Sequence, residues 1–301
     1  MSTVIDVPAR FDEWAFDQFA EGFAAAQGSA RVLVDAHACE WISPFGLVGL
    51  LAAGQALLEQ HGRPAVLTAP ADRDVAHFWA RMGFFTHAKE LFELHGAVPR
   101  VRGGDSRVLL EVTPVRAVED VHAVVQHIQD RSAEILTTEL GLDPKATMGF
   151  GMALSEACQN IVEHAGTGGW VSVHAYTWKR TLGKRVVVIA VADAGVGFRH
   201  TLEPTQAKRF GERWSDSAAL EAAVLQNVSR FRDPGRGQGL AGIRRYLGRW
   251  QGKISIRSGT ARIAILPPWD EGDDLPLREQ LPPFPGAQVQ LVIPAGAQET
   301  R

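Results

Sequence analysis

A stretch without periodicity divides the sequence into two parts with different patterns. It runs HGAVPRVRGGDSR over 95–107 and mixes Pro, Gly and charges of both signs. Pro and Gly interrupt regular structure, so this composition predicts a connection between folded units. A chain of 301 residues is long enough for two domains, each with its own core. We predict a first domain over 1–97, a linker over 98–107 and a second domain over 108–301.

The first part alternates strand-like and helix-like segments. Short apolar runs, from TVIDV to ELFEL, alternate with helical patterns over 11–27, 44–61 and 71–82. This order is typical of an α/β domain in which helices cover a small sheet. We therefore expect the N-terminal domain to be α/β.

The second part has a different order of segments. The patterns predict a strand in RVLLEVTPV, helices over 117–140, 144–164 and 240–250, strands over 169–178, 184–192, 253–257 and 260–266, and a last strand in AQVQLVIP. This order predicts an α+β two-layer sandwich, with helices on one face of a mixed, mostly antiparallel sheet. The long polar region 195–239, with one helical stretch inside it, predicts a functional lid or a disordered connection.

Composition excludes some partners and compartments. The 31 basic and 34 acidic residues leave a net charge of -3, which provides no general attraction to nucleic acid or to an anionic membrane. The sequence shows no signal peptide and no apolar segment long enough to span a bilayer. Cys39 and Cys158 lie far apart in apolar surroundings, which favours two buried thiols over a disulfide or a metal pair. We expect a cytoplasmic protein.

Three polar residues recur at helical spacing in SEACQNIVEHAGTGG. Glu156, Asn160 and His164 are four positions apart, so on a helix they share one face. An ordinary exposed helix face has the same pattern, and the row indicates a site only if other motifs accompany it. The glycines that follow His164 predict the end of the helix.

An aspartate and two glycines follow an apolar strand in VVVIAVADAGVGF. The strand ends at Asp193, and Gly195 and Gly197 allow a ligand to approach the backbone closely or allow a positive φ. A carboxylate in this position can accept a hydrogen bond from the exocyclic amine of a base. Asp and Gly are also ordinary turn residues, so the motif alone leaves both interpretations open.

A glycine-rich segment leads into the helix predicted over 240–250. Gly235, Gly237 and Gly239 alternate up to Leu240, with Arg236 among them. Unhindered N–H groups beside a helix N-terminus can hold phosphates, although a capping loop has the same composition. GQGLAG also fits a dinucleotide-binding fingerprint, but no strand precedes it and no acid follows at the required distance. No P-loop motif occurs.

Taken in order, these motifs resemble the GHKL superfamily of ATPases, which includes gyrase, heat-shock chaperones, histidine kinases and mismatch-repair proteins. The resemblance covers about 108–294 and implies the Bergerat fold, ATP and Mg²⁺. Asn160 would hold the Mg²⁺, Glu156 would activate the attacking water or hydroxyl, and Asp193 would contact adenine. The remaining ATP-site residues would be His164, Gly195, Gly197, Gly235, Arg236, Gly237, Gly239 and Leu240.

Within this superfamily, LDPKATMGFGMALSEACQNIVEHA is most similar to the anti-sigma-factor serine kinases. Sensor histidine kinases carry a separate phosphoacceptor histidine, and neither His122 nor His127 has the expected neighbours. One departure lies near the last strand, where the family often has Gly-Thr. Here Ala287 follows Gly286, so a hydroxyl contact is absent.

The segment VLVDAHACEWISPFGLVGLLAAGQAL, 32–57, resembles the STAS domain of anti-sigma-factor antagonists. Such domains present a phosphorylatable serine just before a glycine, and here Phe45 has that position. Phe45 cannot accept a phosphoryl group. Ser43 could, but a serine next to a proline at a helix start favours a cap. The resemblance implies a domain that keeps a docking role and has lost the switch.

These interpretations leave competing functions. In the first, ATP binds and Glu156 activates a serine on a partner STAS protein, which changes whether the antagonist or a sigma factor is bound. In the second, ATP closes the lid, the N-terminal domain docks or undocks, and a partner is captured with slow or no turnover. A dimeric chaperone-like or repair-type ATPase is disfavoured because those chains carry a further large domain. A homodimer and the destination of the phosphate stay open.

Overall fold

The computed structural model describes residues 2–100, 108–138, 140–142, 144–178, 182–226, 228, 239–270 and 276–296. An N-terminal unit, 2–97, and a C-terminal unit, 108–296, lie on either side of the connecting segment. Most of the predicted linker, 101–107, lies outside the described residues.

The N-terminal unit contains a parallel sheet with helices. Its strands are β1 (Ser2–Asp6), β2 (Arg10–Phe11), β3 (Arg31–Asp35), β4 (Trp41–Ile42), β5 (Ala65–Thr68) and β6 (Phe92–His95), and its helices are α1 (Phe16–Ala25), α2 (Pro44–His61), α3 (Arg73–Arg81) and α4 (Phe84–Leu91). Four strands pair in the order β1-β3-β5-β6, all in parallel. The short strands β2 and β4 pair separately.

Two helices of this unit differ from the prediction. Helix α1 begins at Phe16 rather than at 11, because Arg10 and Phe11 are extended and pair with β4. Helix α4 was not predicted as a separate element. Gly83, at φ +74°, separates it from α3, and glycine takes this left-handed conformation without steric cost.

The C-terminal unit is built on a seven-stranded sheet. Its elements are β7 (Val108–Val115), α5 (Val118–Thr138), α6 (Pro144–Asn160), a π-helical turn (Ile161–Ala165), β8 (Gly169–Thr177), β9 (Arg185–Asp193), α7 (Gly197–Phe210), a 3₁₀ turn (Gly211–Arg213), α8 (Asp216–Val224), α9 (Gly239–Arg249), β10 (Lys253–Gly259), β11 (Ala261–Ile265), β12 (Leu277–Arg278) and β13 (Phe284–Pro294). The strand order is β12-β11-β10-β13-β9-β8-β7.

The sheet is antiparallel in every described pair, whereas the sequence predicted a mixed sheet. Strands β9 and β10 do run in the same direction, with helices in their connection. They are not neighbours, because β13 lies between them and pairs antiparallel with both. The last strand therefore separates the two parallel strands and makes every described pair antiparallel.

The predicted polar lid is also wrong in part. Helix α7 begins at Gly197, and α8 follows it, so much of 195–224 is helical and belongs to the folded unit. The sequence predicts only one helical stretch in this region, because the segment that forms α7 is mostly polar and its apolar face gives no clear helical pattern. Gly235, Arg236 and Gly237 lie outside the described residues, so the predicted phosphate-binding segment is described only from Gly239 onward.

Strand β9 is buried on both faces of the sheet. Val187, Ile189 and Val191 point to the helices of the C-terminal unit. Ala190 and Ala192, which alternate with them, point to the N-terminal unit, where α2 packs on the sheet. Successive residues of a strand point to opposite faces of the sheet. Because both faces of β9 are covered, both need apolar residues, which explains the continuous apolar run. The predicted two-layer sandwich thus has a third layer in the intact chain.

Aromatic residues connect the N-terminal unit to the start of β13. The ring of Phe284 lies 4.9 Å from that of Phe16 and 4.7 Å from that of Phe23, measured between centroids. Edge-to-face and tilted ring pairs at these distances are favourable. The two units therefore share one apolar core along this face of the sheet.

The start of α2 is closed to solvent. Ser43 accepts a hydrogen bond from the backbone N–H of Gly46, which makes it the N-cap, and only 1 % of Ser43 is exposed. Phe45 packs edge-on against Phe16, with ring centroids 5.3 Å apart. The interpretation of Ser43 as a cap is confirmed. Neither residue is presented on the surface.

The structure shows the state of the two cysteines and whether a described helix could cross a membrane. Cys39 and Cys158 are free and buried, as predicted. Burial raises the pKa of the Cys39 thiol to about 11, so this group is an inert apolar filler. Among the described residues, no helix has the length and apolar character needed to cross a membrane.

Candidate functional site

A pocket with a cavity volume of about 30 Å³ lies on the helix-covered face of the C-terminal sheet. The end of α6, the π-helical turn, the end of β9, the start of α7 and the start of β13 surround it. Its lining is mostly apolar and includes three polar side chains, and it consists of Ala157, Asn160, Ile161, Ala165, Val191, Asp193, Gly197, Phe198, Thr201, Ala287 and Val289. Three predicted site residues, Asn160, Asp193 and Gly197, are therefore brought together from distant parts of the sequence.

Asp193 is the buried acid of this pocket, with 6 % of its surface exposed. Its Oδ1 accepts hydrogen bonds from the backbone N–H of Gly195, at 2.9 Å, and of Ala287, at 3.3 Å. Burial raises its pKa to about 7, and the two N–H donors oppose that shift. Its Oδ2 receives no hydrogen bond from the described residues. This oxygen is the acceptor that the side chain can offer to a ligand.

The glycines after Asp193 have different roles. A Cβ on Gly195 would lie 2.0 Å from the carbonyl oxygen of Ala165. Gly195 therefore lets the strand end touch the π-helical turn, and it is not among the described residues that line the pocket. Gly197 does line the pocket and has φ +72°, a conformation that favours glycine. It turns the chain from β9 into α7.

Residues that the sequence did not identify hold this strand end in place. Ser258, on β10, donates a hydrogen bond to the carbonyl oxygen of Gly286 at 2.8 Å and accepts one from the N–H of Phe198 at 3.1 Å. Gln288 donates to the backbone oxygen of Asp193 at 3.3 Å. In the sequence, the only indication of this region is that Ala287 follows Gly286 where the family often has Gly-Thr. Although Ala287 lacks a hydroxyl, its N–H still bonds Asp193.

The end of α6 provides the opposite wall of the pocket. Asn160 is its last residue, half-buried and lining the pocket, and Glu156 lies one turn earlier. Burial, with repulsion from Glu163, raises the pKa of Glu156. Such a carboxyl group is a better proton acceptor than an ordinary surface glutamate.

The predicted α-helix does not continue to His164. The chain enters the π-helical turn after Asn160, where hydrogen bonds join residues five apart, so the i, i+4 row ends there. Only the backbone of His164 is among the described features. Gly166, at φ +77°, ends the turn before β8, as the glycines predicted. Turns of this kind often occur at functional sites.

Helix α9 begins at Gly239, close to the predicted start. Leu240 packs against the core of the C-terminal unit, and neither residue is part of the described pocket lining. Tyr246 attaches this helix to α6 by a 2.7 Å hydrogen bond from its hydroxyl to the carbonyl oxygen of Ala146. The structure thus places α9 beside the helix that carries Asn160.

The histidines weighed as phosphoacceptors both lie on α5, inside the C-terminal unit. His122 is exposed and His127 is half-buried. Within the described part of the chain, no group of three His, Cys, Asp or Glu side chains is arranged to hold a metal by itself. Any divalent cation here would therefore need ligands from a bound molecule in addition to Asn160.

Comparison with known proteins finds a similarity within the C-terminal unit. Residues 147–276 match the family described as histidine kinase-, DNA gyrase B-, and HSP90-like ATPase. Among solved structures, a mycobacterial sensor histidine kinase, MprB, is similar over 63% of this chain and 100% of its own, at 17% identity and a TM-score of 0.26. Among curated proteins, none is significantly similar in sequence.

Proposed function

We propose that this protein is an ATP- and Mg²⁺-dependent regulatory switch of the anti-sigma-factor serine kinase type, because residues 147–276 form an ATPase domain of the histidine kinase, gyrase and Hsp90 class. In this proposal the phosphate acceptor is a serine on a separate STAS-type partner. The buried carboxyl group of Asp193, with one oxygen directed to an apolar pocket, is the observation that carries it.

The pocket around Asp193 offers the contacts that an adenine ring needs, and in this proposal its cavity of about 30 Å³ widens to admit the ring. The pocket offers apolar walls from Ile161 and Val289 on which a flat base can lie. The free Oδ2 of Asp193 can accept a hydrogen bond from an exocyclic amine, and a buried acceptor of this kind gives specificity because leaving it unpaired is costly. Guanine would place a carbonyl where adenine has its amine, so the site favours adenine.

In this proposal Asn160 and Glu156, on the last turn of α6, meet the phosphate end of the nucleotide. The amide oxygen of Asn160 is the kind of hard ligand that Mg²⁺ accepts, usually together with waters and phosphate oxygens. Bound Mg²⁺-ATP supplies the transferable phosphoryl group. Glu156, half-buried and with a raised pKa, accepts the proton of the attacking hydroxyl.

The acceptor serine belongs to another chain in this proposal. Phe45 stands at the position expected for the phosphoserine, and Ser43 has its hydroxyl engaged as a cap with 1 % exposure. Neither can reach a nucleotide on the opposite face of the sheet without unfolding α2. In this proposal neither position of the N-terminal unit accepts the phosphate, and the unit instead recognises a STAS-type partner.

Nucleotide binding is the first experiment. The full chain is titrated with ATP and Mg²⁺ by calorimetry, and Asp193→Asn is compared with Asp6→Asn, which changes an exposed aspartate on β1. Loss of the charged acceptor is expected to weaken binding about tenfold to hundredfold. An Asp193→Asn protein that binds ATP as tightly as the parent would falsify the placement of adenine.

Phosphate transfer is the second experiment. The protein is incubated with γ-labelled ATP and candidate STAS proteins, and Glu156→Gln is compared with Glu21→Gln, an exposed glutamate on α1. We expect label on a partner serine that disappears only in Glu156→Gln. Free phosphate alone, or unconsumed ATP, rules out the kinase.

That second outcome would leave the alternative, an ATP-dependent binding module with slow or no turnover. The contact between the two units changes how this alternative would work. The N-terminal unit shares a core with the sheet, through contacts such as Phe16 with Phe284. Nucleotide-dependent release of this unit would expose that core. A binding module of this design would therefore capture its partner without undocking its own N-terminal unit.

A further inference from the structure

A second pocket lies on the other face of the C-terminal sheet, where the N-terminal unit meets β8. Its cavity volume is about 240 Å³, and its mouth is open to solvent. Trp41 comes from β4, Phe78 from α3, and His174 and Tyr176 from β8. Neither unit forms this pocket alone, and none of the ATP-site residues that the structure describes lines it.

Aromatic rings from both units form its walls. The ring of Trp41 meets that of Tyr176 edge-on at 5.8 Å, and the ring of Phe78 lies 5.4 Å from that of His174. The guanidinium group of Arg10 already lies 5.0 Å from the centre of the Trp41 ring, so this indole takes part in a cation–π contact. These ring surfaces suit a flat aromatic ligand.

Two acids complete the lining. Glu40 and Asp74 are both exposed and both belong to the pocket. Neither carboxylate forms an ion pair with the residues that the structure describes. Glu40 directly precedes Trp41, and Asp74 lies one turn before Phe78 on α3. A cationic group on a ligand that lies against these rings can therefore reach both carboxylates.

His174 adds a directional polar group. Burial, helped by the positive charges of Arg185 and Arg81, lowers its pKa to about 4, so the imidazole is neutral near pH 7. Its Nδ1 is buried without a hydrogen-bond partner among the described residues. A buried ring nitrogen of this kind is costly to leave unpaired, and a polar atom on a ligand ring can satisfy it.

We propose that this pocket binds a small aromatic or heteroaromatic amine. Its ring lies between Trp41, Phe78 and Tyr176, and its ammonium group pairs with Glu40 and Asp74. The two arginines near His174 repel a cation at that end of the pocket, which places the ammonium group at the acidic end. The proposal concerns a second ligand and does not depend on the function of the ATP site.

The test uses three probes that share one ring and differ in charge: tryptamine, indole and indole-3-acetate. Each is titrated into the full-length protein without nucleotide and followed by saturation-transfer NMR and calorimetry. We expect tryptamine to bind at least about tenfold more tightly than either of the others, because only it pairs with the acids. Absence of tryptamine binding in the millimolar range, or equal affinity for all three probes, overturns the proposal.

Two variants locate the binding. The double change Glu40→Gln and Asp74→Asn removes both charges at exposed positions and is expected to weaken tryptamine binding at least about tenfold. The matched control is Asp6→Asn with Glu21→Gln, exposed acids outside the pocket. Phe78→Ala, checked for a folded circular dichroism spectrum, should weaken all three probes. Unchanged tryptamine affinity in the double variant means that the probe binds elsewhere and refutes the assignment.

Discussion

Glu13 and Lys253, 240 positions apart, form a buried ion pair with a distance of 2.8 Å between Oε1 and Nζ. Only 2 % of the Glu13 side chain and 1 % of the Lys253 side chain are exposed. Burial raises the pKa of Glu13, and Lys253 opposes that shift. Lys253 also lies 2.9 Å from Asp270 and over the ring of Trp14. A charged contact inside the shared core thus fixes the N-terminal unit on the sheet.

Lys253→Met should destabilise the whole protein. The change leaves the charges of Glu13 and Asp270 buried without their cation, a loss of about 3–5 kcal/mol in the free energy of unfolding. Urea unfolding, followed by circular dichroism, measures it, and Lys89→Met at an exposed position is the control. If Lys253→Met unfolds at the same urea concentration as the parent, the pair does not hold the units together.

Phe45→Ser should not restore a phosphorylation site. Phe45 is 3 % exposed and packs against Phe16, so its removal leaves a cavity that costs about 3–5 kcal/mol. A serine there stays buried, and the folded variant is expected to accept no label from ATP with any STAS-directed kinase. Mass spectrometry of the folded protein after labelling decides the point. Phosphate on residue 45 of a stable variant would contradict the burial.

Asp193→Asn should stabilise the nucleotide-free protein, and more so at high pH. Folding raises the pKa of Asp193 from 3.8 to about 7. The contribution of Asp193 to the free energy of unfolding is therefore fully present below about pH 4 and is lost as the pH rises through about 7. Asparagine does not titrate and avoids this loss. The gain in unfolding free energy at about pH 8.5 should exceed that at about pH 4.5 by about 1 kcal/mol or more.

Urea unfolding at the two pH values measures this difference. Asp6→Asn, which changes an exposed carboxylate, is expected to show the same stability relative to the parent at both. If the stability gain of Asp193→Asn does not grow with pH, the pKa of Asp193 is not raised in the folded state. Together with weaker ATP binding, the predicted result would show that this acid is retained for function rather than for stability.

Gly195→Ala should damage the nucleotide pocket through the backbone. Its Cβ would meet the carbonyl oxygen of Ala165 at 2.0 Å, so the end of β9 and the π-helical turn must separate. Asn160 directly precedes the π-helical turn and Asp193 ends β9, so their separation should weaken ATP binding about tenfold or more, as misplacement of site residues does. Calorimetric titration with ATP and Mg²⁺ measures the loss.

Gly151→Ala is the matched control for that change. Gly151 lies in α6, and a Cβ there meets nothing within 4 Å. Because alanine favours a helix more than glycine does, this variant should be stabilised by about 0.5–1 kcal/mol with its ATP affinity unchanged. Equal effects of the two substitutions on ATP binding would mean that the contact between Gly195 and Ala165 is not important for the pocket.

The sequence by itself determined the elements with strong local signals. The apolar run before Asp193, the helical row with Glu156 and Asn160, and the cap at Ser43 were all readable, because periodicity and capping depend on neighbouring residues. The ordered motifs indicated the ATPase class, which the family match over 147–276 supports. The STAS likeness, the kinase subtype and the partner stay predictions.

The tertiary structure alone decided how distant residues meet. Helix α7 and the π-helical turn were missed because their stability comes from packing on the sheet rather than from a local pattern. The roles of Ser258 and Gln288 could not be predicted, because a hydrogen bond to a distant part of the chain produces no regular spacing in the sequence. The pairing of Glu13 with Lys253 has the same origin. Long-range burial makes it favourable, and only the fold shows which charges are buried together.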